Sequence, residues 1–153
     1  MSGVIRKADI IVTEDNNFSL ALLTGFIHHT SYLYPSFNRW FYHTVTPALH
    51  TNTRTLLVAS IDDAPAGIAI LKHDGLEDKL STLFVCTQYR GLGVAEKLVD
   101  ATMIKLNSDR VFFTVTPEND AAVSPVLMAK GFTLHSEIPN LYRQGVNELV
   151  YKA

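Results

Sequence analysis

The run Val85-Cys86-Thr87-Gln88-Tyr89-Arg90-Gly91-Leu92-Gly93-Val94-Ala95 constrains this chain more than any other segment. Upstream of it lies an apolar stretch with Leu80, Leu83, Phe84 and Val85, the content of a strand; downstream begins an amphipathic helix pattern. Between the two, a pair of glycines stands one residue apart. Neither Gly91 nor Gly93 carries a Cβ, so the backbone there reaches conformations barred to other residues and lets a ligand come close. The amides that open a helix have no partner inside it, and the helix dipole adds partial positive charge to them. A strand, a glycine turn and a helix start, in that order, make an anion cradle, and phosphate is the usual anion.

Three kinds of phosphate cradle differ in their spacing. A P-loop needs Gly-x-x-x-x-Gly-Lys followed by Ser or Thr, and no such run occurs. A dinucleotide fingerprint, Gly-x-Gly-x-x-Gly, finds Gly91 and Gly93 but meets Glu96 at its third position. What remains is Gln88-x-x-Gly91-x-Gly93, with Tyr89 and Arg90 before the first glycine, Leu92 between the two, and Val94 and Ala95 after the second. This resembles the pyrophosphate-binding motif of the GNAT superfamily of N-acetyltransferases, (Gln/Arg)-x-x-Gly-x-(Gly/Ala). A bare Gly-x-Gly also arises in ordinary strand-to-helix turns. The upstream strand, the aromatic-Arg-Gly core and the downstream helix make the likeness specific. A second match lies further on, where Asn119, Ala122 and the pair Gly131-Phe132 fit the family's pattern after its fifth strand.

The elements follow in a consistent order. "ADIIVTED" reads as a strand, with Asp15 or Asn16 placed to cap a helix carrying Phe18, Leu22, Phe26 and His29 at helical spacing. Pro35 interrupts, and a second helical piece runs through Arg39, Trp40 and Phe41 until Pro47 kinks or stops it. "TRTLLVASI" and "AGIAILK" read as strands joined by a turn at Asp62-Asp63-Ala64-Pro65. Another turn at Asp74-Gly75 leads into "KLSTLFV". The helix after the glycines puts Ala95, Leu98, Val99, Thr102, Met103 and Leu106 on one side. "RVFFTVT" follows as a buried strand, then a helical segment ending at Gly131, then "FTLHSEI" and "NELVYKA". The order β-α-α-β-β-β-α-β-α-β-β is that of the GNAT fold. The resemblance therefore implies one α/β (α+β) domain over residues 1–153. Its mixed, mostly antiparallel sheet would have six to seven strands, about four flanking helices, and a splay between strands four and five.

Bulk properties exclude several classes. A chain of 153 residues, 47% hydrophobic and 18% charged, fits one soluble domain. No apolar run approaches the ~20 residues of a membrane span, and Met1 to Lys7 lacks the apolar core of a secretory signal. The single cysteine, Cys86, excludes an internal disulfide and fits a reducing cytoplasm. A net charge of −2 argues against a general nucleic-acid partner.

The resemblance implies acetyl-CoA as co-substrate and a small-molecule or peptide amine as acceptor, attacked directly while both are bound. It gives the backbones of Leu83, Phe84 and Val85 the pantetheine arm and the amides from Arg90 to Val94 the pyrophosphate. Asn119 inherits a hydrogen bond to pantetheine; as residue chemistry alone it serves equally as a helix cap near Pro117. Relatives often dimerise, so the resemblance also implies a homodimer. The family's thiolate-protonating tyrosine falls at Leu127, which has no proton to give. Ser124 and Tyr142 are the substitute candidates, although Ser124 before Pro125 reads first as the cap of a restarted helix.

For the base, Glu77 and Asp78 read as solvated turn charges, Glu137 and Glu148 as surface groups, and His73 and His135 as structural. His28, His29 and His43 do not form metal-ligand spacing, and no metal is expected. The aromatic group Tyr32, Tyr34, Phe37, Trp40, Phe41 and Tyr42 is core packing that, by resemblance, walls the acceptor pocket. Cys86 reads as a small buried hydrophobe. Rival readings are a CoA-binding module without catalysis, favoured by Leu127, a toxin-like acetyltransferase of aminoacyl-tRNA, and an NAD-binding fold, disfavoured by Glu96.

Overall fold

The computed structural model describes residues 5–16, 39, 41–107 and 109–153. Seven strands form one sheet: β1 (Ile10–Glu14), β2 (Arg54–Ile61), β3 (Ala64–His73), β4 (Asp78–Val85), β5 (Phe112–Val115), β6 (Thr133–Pro139) and β7 (Asn147–Lys152). Their order across the sheet is β1-β2-β3-β4-β5-β7-β6. Every neighbouring pair is antiparallel except β4 and β5. The helices are α1 (Thr46–His50), α2 (Val94–Leu106) and α3 (Pro117–Ala129). The expected mixed, mostly antiparallel sheet is therefore present. The anticipated helix carrying Phe18, Leu22, Phe26 and His29 falls outside the described residues, whereas the second helical piece is described from Phe41 on and is helical there.

Alternation along β2 and β3 divides the core in two. Leu57, Ala59, Ala69 and Leu71 point to the side of α2, where they meet Leu98 and Val99, and the same cluster takes in Leu127 of α3. Leu56, Val58, Ile68 and Ile70 point to the other side and meet Phe41, Val45 and Leu49. Both faces of these strands are covered, which explains why they read as nearly continuous apolar runs.

Several local expectations are corrected. The β2–β3 turn is two residues long, Asp62 and Asp63, with φ of 51° and 64°. Paired left-handed residues match the twist of a hairpin, and aspartate tolerates that conformation. Ala64 and Pro65 already belong to β3, opposite Ile61 and Ser60, beside a bulge that accommodates a residue without an N–H. Whether Asp15 or Asn16 caps the next segment lies outside the described residues, but the Asn16 amide has a second role: its Oδ1 accepts from Leu56 N at 2.9 Å and its Nδ2 donates to Leu49 O at 2.9 Å, tying the end of β1 to β2. Of the two readings of Pro47, kink or stop, the stop is not observed: the helix changes type there, from a π-helical turn at Phe41–Val45 to α1, with Pro47 in the first turn of α1. Finally, α3 runs unbroken through Pro125, so Ser124 is not an N-cap. A proline inside a helix costs ~3 kcal/mol, and burial of Leu127 and Phe132 offsets it. At the helix end Gly131, at φ 92°, donates to Met128 O at 3.1 Å while Phe132 N donates to Leu127 O at 2.9 Å, a Schellman close.

One glycine outside the motif fixes where α2 lies. A Cβ on Gly67 of β3 would sit 2.8 Å from Phe84 O, 2.9 Å from Val94 Cγ1 and 3.3 Å from Leu98 Cδ1. The first turns of α2 thus rest directly on the sheet beside the last residue of β4, which pairs with Gly67. Gly67→Val is expected to destabilise the fold by ~1–3 kcal/mol, the cost of overpacking a close-packed interface. A urea unfolding midpoint equal to that of the parent would show that α2 yields without cost.

Candidate active site

Strands β4 and β5 share only two register pairs, Lys79–Phe112 and Leu80–Phe113. Above these, β4 continues to Val85 with β3 on one edge and no strand on the other, so the sheet forks. A cleft of about 700 Å³ fills the fork. Leu83, Phe84 and Val85 form one wall, the glycine turn and the start of α2 a second, and Asn119, Ala122, Val123 and Val126 of α3 the third. Leu83 and Val85 pack on the α2 side and Phe84 on the other.

The glycine turn is built from short local bonds. Cys86 N donates to Ala66 O at 2.8 Å, and Tyr89 N closes a 3-10 turn on Cys86 O at 2.9 Å. Gly91 has φ 80° and Gly93 φ 98°, the left-handed region that favours glycine. Gly93 is the N-cap of α2, and Lys97 N donates to its carbonyl at 3.1 Å. No side chain caps this helix among the described residues, so its opening amides are available to an anion. A Cβ on Gly91 would meet no heavy atom within 4 Å; it would project into open space.

Of the residues singled out for the cofactor, Leu83, Phe84, Val85, Tyr89, Arg90, Gly91, Gly93, Val94, Ala95 and Asn119 line the cleft together. Gln88 is exposed outside it, and the Leu92 side chain packs towards the core. Asn119 stands in the first turn of α3, where its backbone N donates to Thr116 O at 3.0 Å, and its side chain makes no capping bond. Lys7, Thr87 and Glu96 also line the cleft. Glu96 was legible only as a mismatch to another motif, and nothing in the sequence links Lys7 to residues 86 positions further on.

The proton-transfer candidates are more scattered. Leu127 is fully buried in the core beside the cleft. Ser124 does not line the cleft, and the neighbouring Tyr151 donates its O–H to Asp120 Oδ1 at 2.6 Å. Tyr142 lies against β4, where Lys79 Nζ donates to its hydroxyl at 2.9 Å. Lys79 alternates with core-facing Leu80, so this contact is on the sheet face opposite α2. On that face Arg54 donates to Ser81 Oγ at 3.3 Å, and burial pulls its pKa down. Glu77 is held by Lys72 at 2.8 Å and Asp78 by Arg110 at 3.2 Å. His73 shares a 2.7 Å hydrogen bond with Thr55 Oγ1, and His135 is exposed. Burial raises the Cys86 thiol, in keeping with a packed, unreactive side chain.

Glu148 overturns the expectation of a surface group. It is 1% exposed, and neither carboxylate oxygen has a hydrogen-bond partner among the described residues. One step beyond the last β5–β7 pair, Val115–Leu149, the register sets it beside Thr116, whose buried hydroxyl is also unpaired. A polar side chain in a strand flanked by exposed residues reads as solvated, and only the folding of β5 and β7 together seals it.

The family model for an acetyltransferase (GNAT) domain matches residues 35–151. A GNAT-family chain from Desulfovibrio desulfuricans superposes with a TM-score of 0.75 at 15% identity, covering 94% of this chain and 98% of that one. Ribosomal-protein-alanine N-acetyltransferase from Brucella melitensis gives 0.72 at 14% identity, over 94% and 98%. The yncA protein of Salmonella typhimurium, solved with its cofactor acetyl-CoA, gives 0.72 at 15% identity, over 94% and 92%. No curated protein matches by sequence.

Desolvation raises the Glu148 pKa above the ordinary carboxylate value, against the opposing pull of Arg143 and Lys79 and with Glu118 adding to it. Such a group carries no ionisation penalty while it is protonated in both states, below ~4.3, and that stability is lost as pH rises through its folded pKa. Glu148→Gln is therefore expected to gain stability relative to the parent as pH rises from about 4, levelling off above the raised folded-state pKa, by about 1.4 kcal/mol for each unit by which the pKa is raised. Urea midpoints of both proteins across that range check it. A pH-independent difference would mean that Glu148 does not titrate in the window.

Proposed function

Because the chain belongs to the GNAT acetyltransferase family, we propose that it moves an acetyl group from acetyl-CoA to a primary amine by direct attack, with both substrates bound at once. The observation that carries this is the fork between β4 and β5, closed at its mouth by an uncapped helix N-terminus. The residues fit the co-substrate. The amides from Arg90 to Val94 hold the diphosphate, and the empty space beyond Gly91 leaves room for it. The strand-free edge of β4 from Leu83 to Val85 offers backbone donors and acceptors to the pantetheine amides, and Asn119 adds a side-chain amide from α3. Val123, Val126 and buried Leu127 keep that wall apolar.

Acetyl-CoA supplies a thioester open to attack by a neutral amine. The chain has to hold the two reactants close, and this accounts for much of the acceleration. The amine enters from the sheet face opposite α2, which carries Arg54, Ser81, Lys79 and Tyr142. Neither candidate hydroxyl lines the cleft; we assign the departing thiolate to Tyr142, which lies on the amine face beside Lys79 of β4. A small-molecule or peptide amine fits this face. The N-acetyltransferase name of the Brucella neighbour supports nitrogen as the acceptor atom. A tRNA acceptor needs a basic surface, whereas Lys72, Lys130 and Arg143 are ion-paired with carboxylates and Arg54 is buried. No described helix is long and apolar enough to cross a membrane. We place the protein in the cytoplasm, the reducing compartment that its single cysteine fits.

Calorimetric titration with acetyl-CoA is expected to show micromolar binding that Gly91→Glu abolishes, because a side chain at φ 80° would carry a carboxylate into the diphosphate space. Normal binding by that variant would place the diphosphate elsewhere. With an amine found by screening for thiol release, Tyr142→Phe is expected to lower kcat by ~10²-fold at an unchanged Kd for acetyl-CoA, the usual weight of a general acid. An unchanged kcat would assign thiolate protonation to solvent. No thiol release with any amine, despite tight binding, would favour the CoA-binding module instead.

A further inference from the structure

The glycine motif does not close the cradle alone. A 3-10 turn at Lys7–Asp9, fastened by Arg6 N donating to Asp9 Oδ2 at 2.8 Å, sends the Lys7 side chain across it. A Cβ on Gly93 would lie 2.8 Å from Lys7 Cγ, 3.0 Å from Cε and 3.3 Å from Cδ. The aliphatic arm of Lys7 thus lies flat over Gly93, and the missing side chain makes the room. Its ammonium ends on the Glu96 carboxylate, in the first turn of α2.

Glu96 is an odd neighbour for a diphosphate. The helix dipole favours a carboxylate there, but a bound diphosphate would bring further negative charge to the same turn. Two lysines answer it in different ways. Lys130, from the end of α3, is shared between Glu96 and Asp100, at 3.0 Å to each. Lys7 has Glu96 as its one carboxylate partner among the described residues, lines the cleft, and keeps a side chain 58% exposed. Lys130 is fixed by two anions; Lys7 has a flexible stem and donors to spare.

We propose that Lys7 is a diphosphate ligand of this site, its ammonium bridging Glu96 and the diphosphate of acetyl-CoA so that the N-terminal segment forms the outer jaw of the clamp. The inner jaw is the row of amides from Arg90 to Val94. This rests on the co-substrate reading above and adds to it a residue far outside the glycine motif. It also gives Glu96 a role: the carboxylate holds the lysine over the cradle before the diphosphate arrives.

The test is calorimetry with acetyl-CoA on Lys7→Met, which keeps the arm over Gly93 and loses the charge, on Glu96→Gln, and on the double variant. Lys7→Met is expected to weaken binding by about tenfold, as for loss of one charge-assisted hydrogen bond. The double variant is expected to stay as weak, and Lys7→Arg to bind nearly as the parent does. Dephospho-CoA, which keeps the diphosphate and lacks the 3′-phosphate, is expected to show the same factor. Parent-like affinity in Lys7→Met overturns the proposal. So does recovery in the double variant, because Lys7 would then only neutralise Glu96. A factor that vanishes with dephospho-CoA overturns it too, by moving Lys7 to the 3′-phosphate. A parent protein that binds neither compound removes the co-substrate reading itself, which separates that failure from this one.

Discussion

Parallel β4 and β5 stay in register for two residue pairs and then part, and the rest of the structure is arranged around that parting. A strand edge with no neighbour leaves backbone donors and acceptors unpaired, which a protein interior does not tolerate without water or a ligand. Here the open edge of β4 faces a cleft instead of a strand, and α3 begins where β5 ends, so the fork has a third wall. The seat of α2 depends on the same geometry. Gly67, paired with Val85 at the tip of β4, lets Val94 and Leu98 settle on the sheet, and this aims the opening amides of α2 at the fork. A phosphate cradle and a slot for an extended arm thereby become one continuous site.

Charge is distributed unevenly about that site. On the α2 side, Lys7, Glu96, Lys130 and Asp100 form an exposed chain of ion pairs. Solvent screens such pairs, so they contribute little to stability and are free to rearrange around a ligand. On the opposite face, the side-chain oxygens of Glu148 and Thr116 are buried with no hydrogen-bond partner among the described residues, beside a bidentate Arg143–Glu118 pair. Unpaired buried polar groups cost stability, and those that persist call for a functional explanation. The two faces therefore carry different electrostatics: a screened, adjustable one for an anionic co-substrate, and a desolvated one where an amine would meet the thioester.

Most of the strands, the glycine motif and the class of the sheet were legible because they depend on short-range chemistry. Alternating or continuous apolar runs, an aspartate turn and a glycine between strand and helix each act within a few residues. The failures share a cause. Pro125, read as a helix start, is carried inside α3 because Leu127 and Phe132 anchor the turn that follows. Glu148, read as solvated, is enclosed by a pairing between strands far apart in the chain. In each case a tertiary contact outweighed a local preference worth ~1–3 kcal/mol.

The sequence by itself determined the anion cradle and the family, because the spacing of Gln88, Gly91 and Gly93 is a statement about backbone conformation, and backbone conformation is local. It also determined the absence of the usual tyrosine, since Leu127 has no proton to donate. Only the tertiary structure decided which side chains share the site. The placing of Lys7 over Gly93, of Ser124 behind α3 against Tyr151, and of Tyr142 against Lys79 follows from how strands stack and loops return, and no residue encodes its distant neighbour. Burial belongs to the same category: whether a carboxylate such as Glu148 meets water is settled by the whole sheet and not by the residues beside it.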